Sequence, residues 1–168
     1  MKPDRTVKSE PGFAAGTDAA TEAEERVLVI ERVFDAPRSL VFKAWTDPQH
    51  LVHWYGPRGF SLPSCEVDLR PGGAWRSCML SPEGREYWVR GIFREVVEPE
   101  RLVFSYAHEN ESGAPGHETI VTVTFEDRAG KTGLTLRQAA FESVKERNAH
   151  RGGWSSSLDR LVEHLARA

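Results

Sequence analysis

Between His117 and Asp127 the side chains alternate. His117, Thr119, Val121, Val123 and Phe125 form one set, and Glu118, Ile120, Thr122, Thr124 and Glu126 the other. A period of two puts one set on each face of a strand. Strand composition recurs in SCEVDLR (64–70), AWRSCML (74–80), REYWVRGIFREVV (85–97), RLVFSYA (101–107) and TGLTLRQAA (132–140). The breaks between them are short: Pro71-Gly72-Gly73, Ser81-Pro82-Glu83-Gly84, Glu98-Pro99-Glu100, and Arg128 to Lys131. Connections of that length join antiparallel neighbours. An earlier run, VLVIERVF from Val27, predicts a first strand.

Helical spacing occupies the remaining apolar positions. Pro37 opens a segment with Leu40, Val41, Ala44 and Trp45 on one face. Thr46-Asp47-Pro48 repeats the start signal for PQHLVHWY, which stops at Gly56. From Gly152 the chain reads GGWSSSLDRLVEHLARA, with Trp154, Leu158, Leu161, Val162 and Leu165 at the 3.6-residue period. This is the one long helix available to cover the sheet. The predicted order is strand, two short helices, six strands, long helix. It describes an α+β fold with a curved seven-stranded antiparallel sheet around a C-terminal helix. Such a sheet and helix enclose either a deep core or a cavity. The two glycines beside Trp154 mark a thinned place where space could remain.

Residues 1–25 are polar and small, nearly without large apolar side chains, and are expected to be a disordered tail. Residues 26–168 form the single predicted domain. Lys and Arg number 22 against 25 Asp and Glu, a balance that gives nucleic acid no basic surface. With neither a membrane-length apolar run nor a signal peptide, a cytoplasmic, non-membrane protein is expected. Cys65 and Cys78 are too few for a disulfide framework. They flank the Pro-Gly-Gly turn, and strand register decides whether they can meet.

Strand parity sorts the inner face. Val121, Val123, Phe125, Leu134, Leu136 and Gln138 share it, as do Leu102, Phe104 and Tyr106. In the long strand Tyr87, Val89, Gly91 and Phe93 read as inward, leaving Trp88, Arg90 and Arg94 outward. Gly91 inside a strand marks a bend or a close approach.

Six segments, in order, carry a family resemblance: FDAPRSLVFKAWTDPQHLVHWYGP (34–57), CEVDLRPGGAW (65–75), GIFREVVEPERLVF (91–104), HETIVTVTFED (117–127), TGLTLRQ (132–138) and GWSSSLDRL (153–161). The chain resembles the START-like (SRPBCC) superfamily, whose fold is the helix-grip or Bet v-like one. Within it, the chain is similar to small bacterial homologues of the heat-shock-protein-90 ATPase activator. The resemblance implies an internal cavity for a small lipid-like or aromatic molecule, and no cofactor. Relatives often carry paired tryptophans where this chain has Trp54-Tyr55. The stretch before Val27 is too short for the extra N-terminal domain of the eukaryotic co-chaperone, so chaperone contact is not expected.

The candidate ligand-binding residues are Trp54, Tyr55, Trp75, Met79, Tyr87, Phe93, Phe104, Tyr106, His117, Val121, Val123, Leu136, Trp154 and Leu158. Aromatic side chains with a polar tip suit a mostly apolar pocket, and Trp154 is the leading wall candidate. Trp45 is expected in the core. His117 is expected at the cavity mouth and His108 in a loop. His50 and His53 lie three apart on a short helix without a third metal ligand, so they read as surface residues. Ser155, Ser156 and Ser157 read as a solvated helix face. Glu66, Asp68, Glu86 and Glu95 read as exposed strand carboxylates. No nucleophile elbow, phosphate loop or dinucleotide fingerprint is present, and no catalytic residue is assigned. An enzyme acting by acid–base chemistry on a polyketide-like substrate would need an inward, desolvated carboxylate or histidine. A free sheet edge or the helix pair could support a homodimer.

Overall fold

The computed structural model describes residues 23–168. The expected disordered tail lies outside these residues except for 23–25, which form one helical turn.

Strand β1 (Leu28–Phe34) leads into helices α1 (Arg38–Thr46) and α2 (Pro48–Trp54). Strands β2 (Ser61–Val67), β3 (Ala74–Leu80), β4 (Glu86–Val97), β5 (Arg101–His108), β6 (Thr119–Arg128) and β7 (Lys131–Ala139) follow, and helix α3 (Val144–Arg167) ends the chain. The sheet is antiparallel in the order β1-β7-β6-β5-β4-β3-β2, so only the helical connection after β1 leaves the meander. Register shifts between Ser61 and Ser64 and between Phe93 and Glu95 break the ladders, and bulges of this kind bend a strand.

Local chemistry explains the joints. Pro37 stands at the N-cap of α1, one position before its predicted place. Asp47 caps α2 by accepting from the Gln49 N–H, with Pro48 behind it. Gly91 takes part in a close crossing. A Cβ there would lie 1.8 Å from the Ser105 carbonyl and 2.5 Å from Nε1 of Trp75, which donates to that carbonyl. The inward Trp75 side chain thus lies over its cross-strand glycine.

Helix α3 begins eight residues before Gly152. Ser143 caps it by accepting from the Glu146 N–H at 3.1 Å. Gly152 and Gly153 are therefore inside the helix. Its buried side chains are Trp154, Ser157, Leu158, Leu161 and Leu165. Val162, expected on that face, is 47% exposed. The buried stripe is centred toward Ser157, on the flank away from Val162.

The sheet parity is as read. Val89, Phe93, Leu102, Phe104, Tyr106, Val121, Val123, Phe125, Leu134 and Leu136 are buried in the main core. Trp88 lies outside, under the guanidinium of Arg76 at 3.9 Å, and donates to Glu86. Strand β5 differs from a one-faced strand because Val103, Ser105 and Ala107 are also buried. Cys65 lies opposite Ser77, on the face that carries Trp75 and Met79, whereas Cys78 lies opposite Trp88 on the other face. They are free thiols pointing to opposite sides of the sheet, and burial raises the pKa of both.

Candidate functional site

The interior between α3 and the sheet is solid at one end and open at the other. At the open end is a cleft of about 280 Å³. The sheet contributes Met79, Tyr87, Tyr106 and His108, and the segment after α2 contributes Tyr55, Gly56, Pro57 and Phe60. Helix α3 contributes Glu146, Ala149, His150, Gly153, Trp154 and Ser157. A Cβ on Gly153 would meet nothing closer than Pro57 Cγ at 3.9 Å. The missing side chain is therefore cleft volume rather than relief from a clash.

Hydrogen bonds hold the walls. Trp154 Nε1 donates to Gln138 Oε1 at 2.8 Å, and Gln138 Nε2 donates to Thr119 Oγ1 at 2.8 Å. The Thr119 hydroxyl in turn donates to the Tyr106 carbonyl. This fully buried chain fixes the Trp154 ring, which contacts Tyr55 edge-on with centroids 5.8 Å apart. Opposite, α3 grips the segment after α2. The Gly56 N–H donates to Ser157 Oγ, and the Arg58 N–H donates to Ser156 Oγ at 2.7 Å. Arg160 donates to the carbonyls of Gly56, Pro57 and His53. Of the three serines expected to face solvent, Ser156 and Ser157 instead tie down the cleft rim, and Ser157 is 3% exposed.

Tyr55 is half-buried and also borders a second, smaller pocket of about 40 Å³, lined by Trp45, Leu51, Val67, Trp75, Ser77, Phe93 and Phe104. Burial, followed by the neighbouring phenol of Tyr106, holds the Tyr55 hydroxyl well above the usual phenol range. Burial also raises Tyr106. Both phenols are therefore neutral donors and acceptors rather than bases.

The mouth is polar. His150 Nδ1 lies 2.9 Å from the Glu146 carbonyl, an acceptor, so this nitrogen carries the proton. Its Nε2 lies 3.3 Å from His108 Nε2, so a single proton is shared between the two rings there. The protein packed around His108, and then His150, lower the His108 pKa, while Glu146 opposes the shift. His108 is thus the last residue of β5, with its ring on the cleft, rather than a loop residue.

The candidate residues divide into groups. Tyr55, Met79, Tyr87, Tyr106 and Trp154 line the cleft, and Trp75, Phe93 and Phe104 line the smaller second pocket with Tyr55. Trp54, Val121, Val123, Leu136 and Leu158 are fully buried core and touch neither space. Trp54 donates to the Ala44 carbonyl. His117 is exposed, bonded to the Ala140 carbonyl, and borders a second depression of about 410 Å³ that shares Tyr87, Tyr106, His108, Glu146 and His150 with the cleft. Glu146, Ala149 and His150 are missed by a helix read from Gly152, whereas Gly153 belongs to the thinned place that the sequence marks beside Trp154. The Ser143-x-x-Glu146 capping box was the signal that extends the helix.

A third histidine does reach His50 and His53. His164 on α3 lies 2.8 Å from His50 Nδ1 and stacks on His53. His50 and His164 use ring nitrogens on each other, and no metal-holding group of three His, Cys, Asp or Glu occurs among the described residues. Glu66, Asp68, Glu86 and Glu95 are exposed. Among the described residues no helix is long and apolar enough to cross a membrane.

The family model "Activator of Hsp90 ATPase homolog 1-like protein" (AHSA1) matches residues 35–166. The chain belongs to the AHSA1 family. An AHSA1 protein of known structure from Silicibacter pomeroyi is 29% identical, with a TM-score of 0.78 over 83% of this chain and 97% of its own. A protein from Arthrobacter aurescens is 26% identical with a TM-score of 0.77, covering 88% of this chain and 90% of its own. One from Chromobacterium violaceum is 28% identical with a TM-score of 0.75, covering 82% and 95%. No curated protein matches the chain. AHSA1 membership agrees with the helix-grip architecture that the strand order builds.

Proposed function

We propose that this AHSA1-family protein binds a small, neutral, apolar molecule with an aromatic or similarly flat body in the cleft between α3 and strands β3–β5. The observation that supports this reading is the wall itself. Tyr55, Phe60, Tyr87, Tyr106 and Trp154 surround about 280 Å³ that the glycine at 153 leaves unfilled. An apolar cavity with a few polar tips suits a ligand whose body is apolar. The described residues lining it include no Lys or Arg, and Glu146 at the mouth opposes an anion.

The test is titration with the neutral fluorophore N-phenyl-1-naphthylamine. The expected result is saturable enhancement with one equivalent bound, and loss of at least tenfold in affinity for Gly153→Leu, whose side chain would occupy the cleft. Absence of saturable binding by the folded wild-type chain overturns the reading.

A second reading is favoured by His108 alone. Its lowered pKa and its bond to His150 give the mouth a neutral imidazole able to take a proton. An acid–base enzyme would use it, and His108→Gln would then abolish turnover of a bound substrate while leaving its binding intact. A role on the chaperone ATPase draws only on the family description and ranks behind both.

A further inference from the structure

Residues 55–60 join the end of α2 to β2 and carry Tyr55 and Phe60 into the cleft wall. Their backbone is held from the helix side. The Gly56 N–H donates to Ser157 Oγ at 3.1 Å, and the Arg58 N–H donates to Ser156 Oγ. Arg160 Nη1 donates to the Gly56 carbonyl at 2.8 Å and to the Pro57 carbonyl at 3.2 Å, and its Nη2 to the His53 carbonyl at 3.3 Å. Toward the sheet, Phe60 meets Tyr87 through a tilted ring contact with centroids 5.9 Å apart. Neither neighbouring carboxylate takes the Arg160 charge: Asp159 pairs with Arg32 and Glu163 with Arg58. Its guanidinium therefore rests on backbone carbonyls. Gly56 is the residue on which this clamp closes, because both its N–H and its carbonyl are taken. Its φ is +107°, a region open to glycine and rarely to other residues, and Gly59 follows at +93°.

We propose that residues 55–60 are a lid over the cleft, with Gly56 and Gly59 as its hinges and Arg160 as the positioning residue that latches it shut. This deepens the cleft reading and rests on it. A ligand enters and leaves when Arg160 releases the carbonyls. The elements on either side stay in place: α2 is fixed by buried Leu51 and Trp54, and β2 by its pairing with β3 from Ser61 onward. Turning at the two glycines therefore moves the short stretch between them, with Tyr55 and Phe60 at its ends. The latch is built to release. Arg160 is half-buried at the rim, so water replaces the carbonyls as they part. Lysine would serve poorly in its place, because one ammonium does not reproduce the planar fork that reaches His53, Gly56 and Pro57 together.

The experiment follows N-phenyl-1-naphthylamine by stopped flow with the full chain as wild type, Arg160→Met and Arg160→Lys. Methionine keeps the apolar stem and removes the donors. A latch stands on the path between the free and bound states. Its loss should therefore speed association and dissociation together, each about tenfold, with Kd changed by less than about threefold. Arg160→Lys should fall between wild type and Arg160→Met. A merely structural role has another signature: weaker binding through faster dissociation at an unchanged association rate, and that result overturns the lid. Unchanged rates in both directions overturn it as well. Hydrogen exchange of the wild-type chain is the second measurement, and it decides if Arg160→Met does not fold. The Gly56 and Arg58 amides should be about tenfold or more less protected than those of Leu158 and Leu161, and bound naphthylamine should slow them. Protection equal to that of the helix core, or indifferent to the probe, means a fixed wall. No saturable binding by the wild type removes the cleft reading on which the lid rests, whereas binding with unmoved rates removes the lid alone.

Discussion

Along α3, the C-terminal turns carry Leu158, Leu161 and Leu165 into a filled interior, while the N-terminal turns carry Ala149, Gly153 and Trp154 past a cleft. The same helix and sheet bound both regions. The filled half receives Val41, Phe42 and Trp54 from α1 and α2, in one buried core with Val123, Phe125, Leu134 and Leu136 from the sheet. Branched aliphatic side chains interdigitate to the density of a solid. The open half is closed on its third side by the segment after α2, with Tyr55, Gly56, Pro57 and Phe60. Its walls are aromatic plates braced by hydrogen bonds, and its helix positions are small. A cavity persists here because rigid walls and missing side chains coincide.

The sharpest way to break the contrast is truncation. Leu158→Ala in the filled half is expected to cost roughly 2–5 kcal/mol in urea unfolding. Tyr87→Ala in the cleft wall, where the ring is already half-exposed, is expected to cost under about 1.5 kcal/mol. Equal costs would mean that the cleft wall is as tightly packed as the core. Gln138→Leu tests the bracing. It leaves the Trp154 N–H without its acceptor, so a loss of about 1–3 kcal/mol is expected, together with weaker naphthylamine binding as the ring loosens. Unchanged binding would show that packing alone holds Trp154.

The filled half was the more legible in sequence, for a physical reason. Alternation at Val121, Val123, Phe125, Leu134 and Leu136 reports which face is buried, and burial is what a packed core consists of. The same parity assigned Trp88 outward and flagged Gly91, whose close crossing needed only the absence of a side chain to be suspected. Cleft residues carry no such period. Fully buried Val121 and Leu158 and cleft-lining Tyr87 and Trp154 all sit at inward positions, and only the third dimension tells a filled space from an empty one. His108 and His150 are 42 residues apart and meet through the sheet. Ser157 read as solvated because hydroxyls usually are, and its partner, the Gly56 N–H, is a backbone group that no pattern marks.

The glycines of α3 sharpen the comparison from the other side. Gly153→Ala is expected to stabilise the helix by about 0.5–1 kcal/mol, since glycine is a poor interior helix residue and the added methyl has room. Gly152→Ala should do the same, with nothing within 4 Å of the new carbon. Only the substitution at 153 should also reduce naphthylamine affinity, because only Gly153 lines the cleft. Thermal melts and titrations of both variants separate the helix effect from the volume effect. A fall in affinity for both would mean that helix flexibility, not space, admits the ligand.

The smallest expected contrast is in pH. Each half of α3 is tied by an imidazole pair, His150 with His108 at the open end and His164 with His50 at the filled end. Burial, followed by the neighbouring histidines, holds the His164 pKa below the ordinary value, as burial and His150 do for His108. A histidine whose pKa is lower folded than unfolded takes up its proton more readily in the unfolded chain. Stability should therefore be fully present above about pH 6.5, the unfolded value, and decline as pH falls from there through the lowered folded values. His108→Gln and His164→Gln should each flatten that decline in melts between pH 7.5 and 5. Probe affinity should distinguish the two. Protonating His108 puts a charge on the cleft wall, so acid should weaken naphthylamine binding in wild type and His164→Gln alike, and less so in His108→Gln. Equal pH dependence of affinity in all three would detach the mouth histidines from the cleft.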